Sequence, residues 1–161
     1  MEDTPAQLVS NAMIEKRYAL ITGASSGLGA EFAQQLAALG HPLILVARRE
    51  EKLAALASTL HEQYGAAVEV IAADLSQPDT PQKIAATCLA SGWQVDWLIN
   101  NAGVAGPDLL KDRDWSQQQA FYQLMMLSVA EMCHLFIPSM LERGHGRVIN
   151  IASVAARVPR S

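Results

Sequence analysis

Short apolar runs along this chain alternate with stretches whose apolar residues recur every three or four positions. The runs are Tyr18-Ala19-Leu20-Ile21, Leu43-Ile44-Leu45-Val46-Ala47, Ala67-Val68-Glu69-Val70-Ile71, Val95-Asp96-Trp97-Leu98-Ile99 and Gly146-Arg147-Val148-Ile149-Asn150-Ile151-Ala152. Their largely continuous apolar character predicts strands covered on both faces, as in a parallel sheet. Helical spacing separates them: Phe32, Leu36 and Leu39; Leu53, Leu56, Leu60 and Tyr64; Ile84, Ala85, Cys88 and Leu89. A further helix is expected to begin near Asp114 and to bury Phe121, Met125, Ser128, Met132 and Leu135, with Pro138 bending or ending it. This alternation predicts an α/β protein, a doubly wound parallel sheet of about five strands with right-handed crossovers. Residues 1–17 read as a flexible arm and 18–161 as one domain. The strand ends, marked by Gly23, Ala47, Asp74, Asn101 and Ser153, then gather along one rim, where such sheets bind ligands.

The first rim segment is Thr22-Gly23-Ala24-Ser25-Ser26-Gly27-Leu28-Gly29, between a strand and a helix. A glycine turn in that place aims backbone N–H groups and a helix N-terminus at one point, which suits a pyrophosphate. Gly23 allows the turn, Gly27 lets a ligand approach the backbone, and Gly29 lets the helix lie close to the strand. Ser25 and Ser26 add hydroxyl donors. An ordinary strand-to-helix turn is the alternative reading of the glycines alone.

A second motif, Asn100-Asn101-Ala102-Gly103, follows the fourth apolar run. Together the two motifs resemble the short-chain dehydrogenase/reductase family, whose fingerprints T-G-x-x-x-G-x-G and N-N-A-G are both complete here. The resemblance runs from about Tyr18 to the end of the chain. It implies a Rossmann-type fold and hydride transfer between a nicotinamide coenzyme and a carbonyl or alcohol. It also implies that Asp74 and Leu75 bracket an adenine ring, and that Asn101, Ala102 and Gly103 pass close to a nucleotide ribose. Asp74 reads equally as a turn or helix cap. Asn100 is expected to tie neighbouring strands together through its amide.

The second strand ends Ala47-Arg48-Arg49, where an acid would be needed to bind the ribose 2′-hydroxyl of NAD. Two guanidinium groups suit a 2′-phosphate instead, so NADP(H) is favoured over NAD(H), with Arg48 the first choice and Arg49 the second. The alternative is a pair of solvated arginines at a helix start, with Glu50 and Glu51 weakening them by pairing.

The resemblance assigns Ser153, in Asn150-Ile151-Ala152-Ser153, to holding the substrate oxygen; a strand-end capping serine is the other reading. The family's Y-x-x-x-K would follow that serine, but no tyrosine or lysine lies between Ser153 and Ser161. Met125 stands where the family has an asparagine that supports a proton relay, and a thioether cannot hold such a relay. The expectation is therefore an NADP(H)-dependent oxidoreductase present as a fragment. The alternatives are a catalytically inactive dinucleotide-binding module and a decayed, truncated product. The sheet is expected to be incomplete at its C-terminal end, leaving Val148-Ile149-Asn150-Ile151 on an open edge prone to self-association. Family members pair as homo-oligomers through the long helix that carries Phe121 and Met132.

Composition changes this picture little. Half of the 161 residues are hydrophobic, enough for a core, and the net charge of −4 argues against nucleic acid as a partner. No apolar run is expected to approach bilayer length, and the start Met1-Glu2-Asp3-Thr4-Pro5 lacks the pattern of a secretory signal. Cys88 and Cys133 read as free thiols in a reduced, cytoplasmic compartment. The histidines lack metal-ligand spacing, so no metal is expected.

Overall fold

The computed structural model describes residues 17–108 and 111–153. The expected N-terminal arm lies outside them, except that Arg17 opens the first strand instead of closing the arm. In chain order the elements are β1 (Arg17–Thr22), α1 (Gly27–Ala38), β2 (Leu43–Ala47), α2 (Glu50–Tyr64), β3 (Val68–Ala72), α3 (Thr80–Ala90) and β4 (Gln94–Asn100). There follow α4 (Trp115–Tyr122), a π-helical turn (Gln123–Leu127), α5 (Ser128–Glu142) and β5 (Arg147–Asn150). All neighbouring strands pair in parallel, in the order β3-β2-β1-β4-β5.

The pleat sorts the strand residues between two cores. Tyr18 and Leu20 of β1 join Ile44, Val46, Leu98, Ile84 and Met132 on the face covered by α3 and α5. Ala19 and Ile21 join Leu43, Leu45, Leu36, Leu53 and Leu60 on the face covered by α1 and α2. β1 and β2 are buried on both sides, which explains why their sequences show no alternation.

Three helix positions depart from the expected core faces. Leu39 is 74% exposed, because α1 ends at Ala38 and Leu39 is already its C-cap. Leu89 is 84% exposed: five positions beyond Ile84 it is rotated by about 140° from the face that Ile84 and Cys88 share. Tyr64 ends its helix exposed.

The long helix departs more instructively. Its buried residues are Gln118, Gln123 and Ser128, then Met132, Phe136 and Met140. The first three are five apart and the last three four apart. The π-helical turn supplies the step from Gln123 to Ser128, and Phe121 and Met125 stand off the expected stripe at half-buried positions. Pro138 does not end the helix, which runs on to Glu142. His134 and Pro138 are both exposed, so water reaches the carbonyl that the proline leaves without an N–H partner. Contrary to the expectation for bilayer length, the unbroken stretch Trp115–Glu142 is long and apolar enough to cross a membrane by length and composition. In this fold Met132, Phe136 and Met140 pack it onto the sheet as a core helix.

At the end of the sheet away from the rim, Asp96 is 3% exposed within β4. Arg143 Nη2 donates to Asp96 Oδ1 at 3.0 Å and to the Val95 carbonyl at 2.9 Å. Arg17 Nη1 reaches Asp96 Oδ2 at 3.4 Å, and His145 Nε2 lies 3.8 Å from the same oxygen. The buried carboxylate therefore pins the α5–β5 turn to the start of β4.

Both cysteines are free, Cys88 buried and Cys133 half-buried. Burial pushes the Cys88 thiol up to about 11. Ionisation is thus penalised in the folded chain, and the stability held by the neutral thiol is lost as pH rises above the ordinary thiol value near 9. Cys88 is expected to resist a thiol-reactive disulfide reagent at pH 8 until the protein unfolds. Stopped reactions followed across a urea series test this, and rapid labelling in native buffer would contradict it.

Candidate functional site

The C-terminal ends of the five strands do gather along one rim. Ala24 N–H donates to the Val46 carbonyl at 3.2 Å, Ala73 N–H to Ala47 at 2.9 Å, and Ile151 N–H to Asn100 at 2.9 Å, each tying the chain just past one strand to its neighbour. Asn100 performs the cross-strand role expected of it: its Nδ2 donates to Asn150 Oδ1 at 2.9 Å and to Cys133 Sγ at 3.5 Å.

The glycine turn is packed against the Asn101 turn. Gly23 adopts φ +67°, and a Cβ there would lie 2.7 Å from Ala102 Cα. A Cβ on Gly29 would lie 2.4 Å from the Gly23 carbonyl oxygen and 2.6 Å from Asn101 Nδ2. Gly27, at φ +58°, faces open space. Two glycines thus permit close packing and the third keeps the approach clear. Ser26 precedes α1 in extended geometry without a side-chain capping bond, so the first-turn N–H groups of the helix are available to a ligand.

Thr22 is the hub that sequence reasoning left without a role. Its Oγ1 donates to the Ile99 carbonyl at 3.4 Å and accepts from Asn101 N–H and Ala102 N–H, each at 3.0 Å. Asn101 Nδ2 donates in return to the Thr22 and Gly23 carbonyls at 3.0 and 3.3 Å. The Asn101 amide is therefore spent on holding the two turns together. Thr22→Val keeps the shape and leaves two N–H groups unpaired, so it is expected to cost about 2 kcal/mol. Urea unfolding would show the loss, and hydrogen exchange should speed up first at the amides of Asn101 and Ala102.

Arg48 and Arg49 are exposed at the end of β2. Neither pairs with Glu50 or Glu51 among the described residues, contrary to that part of the expectation. Arg49 Nη2 instead donates to Ser25 Oγ at 3.2 Å. Asp74 takes the capping role: its Oδ1 accepts from Ser76 N–H at 3.0 Å, and its carbonyl accepts from Thr80 Oγ1 at 2.8 Å. The side chain of Leu75 is buried in the core beside Ile84 and does not line the rim. Met125, in the π-helical turn, covers Gly103, where a Cβ would lie 3.3 Å from its Sδ. Leu28, Gly103 and Ser153 are exposed. Among the described residues no group of His, Cys, Asp or Glu is placed to hold a metal ion.

The family pattern described as short chain dehydrogenase matches residues 17–161. The chain belongs to the short-chain dehydrogenase family. Among relatives, the very-long-chain 3-oxoacyl-CoA reductase of Anas platyrhynchos is 34% identical over 152 residues, covering 88% of this chain and 46% of that protein. The 17-beta-hydroxysteroid dehydrogenase type 3 of Danio rerio is 31% identical, with 89% and 48% covered. This short-chain dehydrogenase chain thus spans about half the length of the curated relatives it matches. Among solved structures, a short-chain dehydrogenase from Sphingobium yanoikuyae in complex with NADPH superposes with a TM-score of 0.81 and 34% identity, covering 89% of this chain and 56% of that one. A metagenomic short-chain oxidoreductase in complex with NADP gives 0.82 and 33%, covering 92% and 67%. These relatives are named as a reductase and a dehydrogenase.

Proposed function

We propose that these residues form the coenzyme-binding half of an NADP(H)-dependent oxidoreductase acting on a small carbonyl or alcohol substrate. One observation carries this reading: the glycine turn is closed against Asn101 and Ala102 yet open at Gly27, so backbone N–H groups face a site that a pyrophosphate fits. Gly23, Ser25, Ser26, Gly27, Leu28 and Gly29 would hold the pyrophosphate, the arginine pair the 2′-phosphate, and Asn101, Ala102 and Gly103 the ribose wall. The backbone of Asp74 and Leu75 would meet the adenine. NADP(H), when bound, supplies or accepts the hydride. Ser153 would donate a hydrogen bond to the substrate oxygen.

The NADPH and NADP complexes of the similar structures support the choice of coenzyme. So does the absence of a carboxylate at Ala47, Arg48 or Arg49, where it would repel a 2′-phosphate. A second reading, a dinucleotide-binding module without turnover, is favoured by the Met125 thioether over Gly103, which can neither donate nor relay a proton. We assign the chain to a reduced cytoplasmic setting on its two free thiols. Self-association is assigned on the exposed Trp115, Met126, Leu127 and Leu141 of the long helix.

Fluorescence titration of the whole chain should show NADPH binding at least about tenfold tighter than NADH, a difference of ~1.4 kcal/mol. Absence of binding would refute both readings. Loss of NADPH absorbance with a panel of aldehydes and ketones separates the oxidoreductase from the silent module.

A further inference from the structure

Between the turn before α3 and the long helix lies a groove of about 430 Å³, lined by Pro78, Gln123, Leu127, Ala130, Glu131 and His134. None of these residues belongs to the glycine turn or the Asn101 turn. Pro78, Leu127 and Ala130 make an apolar wall. The polar groups are the Gln123 amide, the Glu131 carboxylate and the exposed His134 imidazole.

Gln123 is the informative member. It stands in the π-helical turn on the buried stripe and is only 7% exposed. Ser128, the next residue of that stripe, satisfies its hydroxyl locally by donating to the Leu124 carbonyl at 2.7 Å. The Gln123 amide makes no hydrogen bond among the described residues. A buried polar group without a partner is costly, and a leucine would fill the same place without that cost. The amide lines the groove, where a ligand can satisfy it.

Glu131 supplies the charge. It is half-buried, and Gln82 Nε2 donates to its Oε1 at 3.0 Å. No cation pairs with it among the described residues, and Lys83 of α3 is bound to Asp79 instead. A carboxylate without a counter-ion, an amide oxygen without a donor and an apolar wall together match an ammonium group on a short hydrocarbon stem. The N–H donors meet the two acceptors, and the methylenes cover Pro78, Leu127 and Ala130. An anion would be repelled by the carboxylate at close range.

We infer that this groove binds a small primary amine in its protonated form, with Glu131 its charge partner and Gln123 the residue that orients the ammonium. The site is separate from the coenzyme rim and does not rest on the coenzyme reading.

The test follows the amide resonances of the whole chain by NMR during titration with butylammonium, 1-butanol and butyrate, three probes with the same number of carbons. Butylammonium should shift the amides of Gln123, Leu127 and Ala130 saturably, with a dissociation constant on the order of 1–10 mM. 1-Butanol should bind at least about tenfold more weakly, since it lacks the charge-assisted bond, and butyrate should not saturate. Glu131→Gln keeps the shape and should weaken butylammonium by about tenfold, removing its advantage over 1-butanol. Gln123→Leu should weaken it by about three- to tenfold yet leave the melting temperature equal or higher, because an unpaired buried amide is removed. NADPH affinity should stay within about twofold in both variants, so loss of one site is distinguished from loss of the other. Shifts still unsaturated at about 100 mM, or equal affinities for butylammonium and 1-butanol, would overturn the inference. Leu127 also belongs to the surface assigned to self-association. Butylammonium shifts that track a monomer–dimer equilibrium seen by sedimentation would therefore give the groove to a second copy and overturn the inference as well.

Discussion

Gly29→Ala is expected to lower dinucleotide affinity by at least about a hundredfold and to destabilise the fold by ~1–3 kcal/mol. On an ordinary helix the same change would stabilise by about 1 kcal/mol. Here the added methyl would sit 2.4 Å from the Gly23 carbonyl oxygen and 2.6 Å from Asn101 Nδ2. Neither neighbour can yield: the carbonyl belongs to a turn at φ +67°, and the amide already bonds two carbonyls. Relief requires α1 to move away from β1, which withdraws the first-turn N–H groups from their common focus. Two lost hydrogen bonds to a charged group, each worth ~1.5–3 kcal/mol, account for the affinity loss. Gly27→Ala is the contrast in stability: its methyl would meet no protein atom and costs only the left-handed backbone, about 1–2 kcal/mol, while standing in the approach of the ligand. Thermal melts and NADPH titrations on both variants decide the matter. Gly29→Ala protein that binds like the wild type would remove the reason given for the glycine.

Asp96→Ala is expected to destabilise by ~3–5 kcal/mol, the cost of leaving a buried ion without its partner. That loss corresponds to a fall in melting temperature of roughly 10 °C. The orphaned group is Arg143, whose side chain is 21% exposed and whose Nε is already buried without a hydrogen-bond partner. Asp96 supplies its main compensation, together with the Val95 carbonyl. Arg17 contributes less: it is half-exposed and 3.4 Å from the carboxylate, so Arg17→Ala should cost under about 1 kcal/mol. Urea unfolding of the two variants would show the asymmetry, and equal small effects would rule out a structural role for the buried carboxylate.

Strand positions were legible because apolar runs of this kind have few other uses, and the two motifs marked where β1 and β4 end. The asparagine tie between β4 and β5 and the start of α4 near Asp114 were also readable; Asp114 is the N-cap, its Oδ1 accepting from Ser116 N–H at 3.0 Å. Thr22 was invisible as a hub because its hydroxyl partners lie 77, 79 and 80 positions away. Asp96 did carry a signal: a carboxylate inside an apolar strand must find a cation, though the sequence does not say which. The half-buried Phe121 and Met125 were misplaced because a constant helical period was assumed through a segment that changes period. That Arg49 and not Arg48 turns back to Ser25 could not be read at all, since the contact spans 24 positions and is set by how the end of β2 meets the glycine turn.

The change of period in the long helix makes that helix adjustable by a unit other than substitution. Deleting one residue between Gln123 and Leu127 would restore the ordinary winding: Gln123 and Ser128 would stand four apart, like Ser128 and Met132, so everything upstream would keep its face. Phe121, whose ring now abuts Gly106, would stay against that loop, and Trp115 would keep its direction. The turn thus holds one spare residue that the helix can lose while the wall beside the rim and the sheet beneath stay as they are, whereas a loss from the ordinary winding of α5 would turn the part upstream by about 100°.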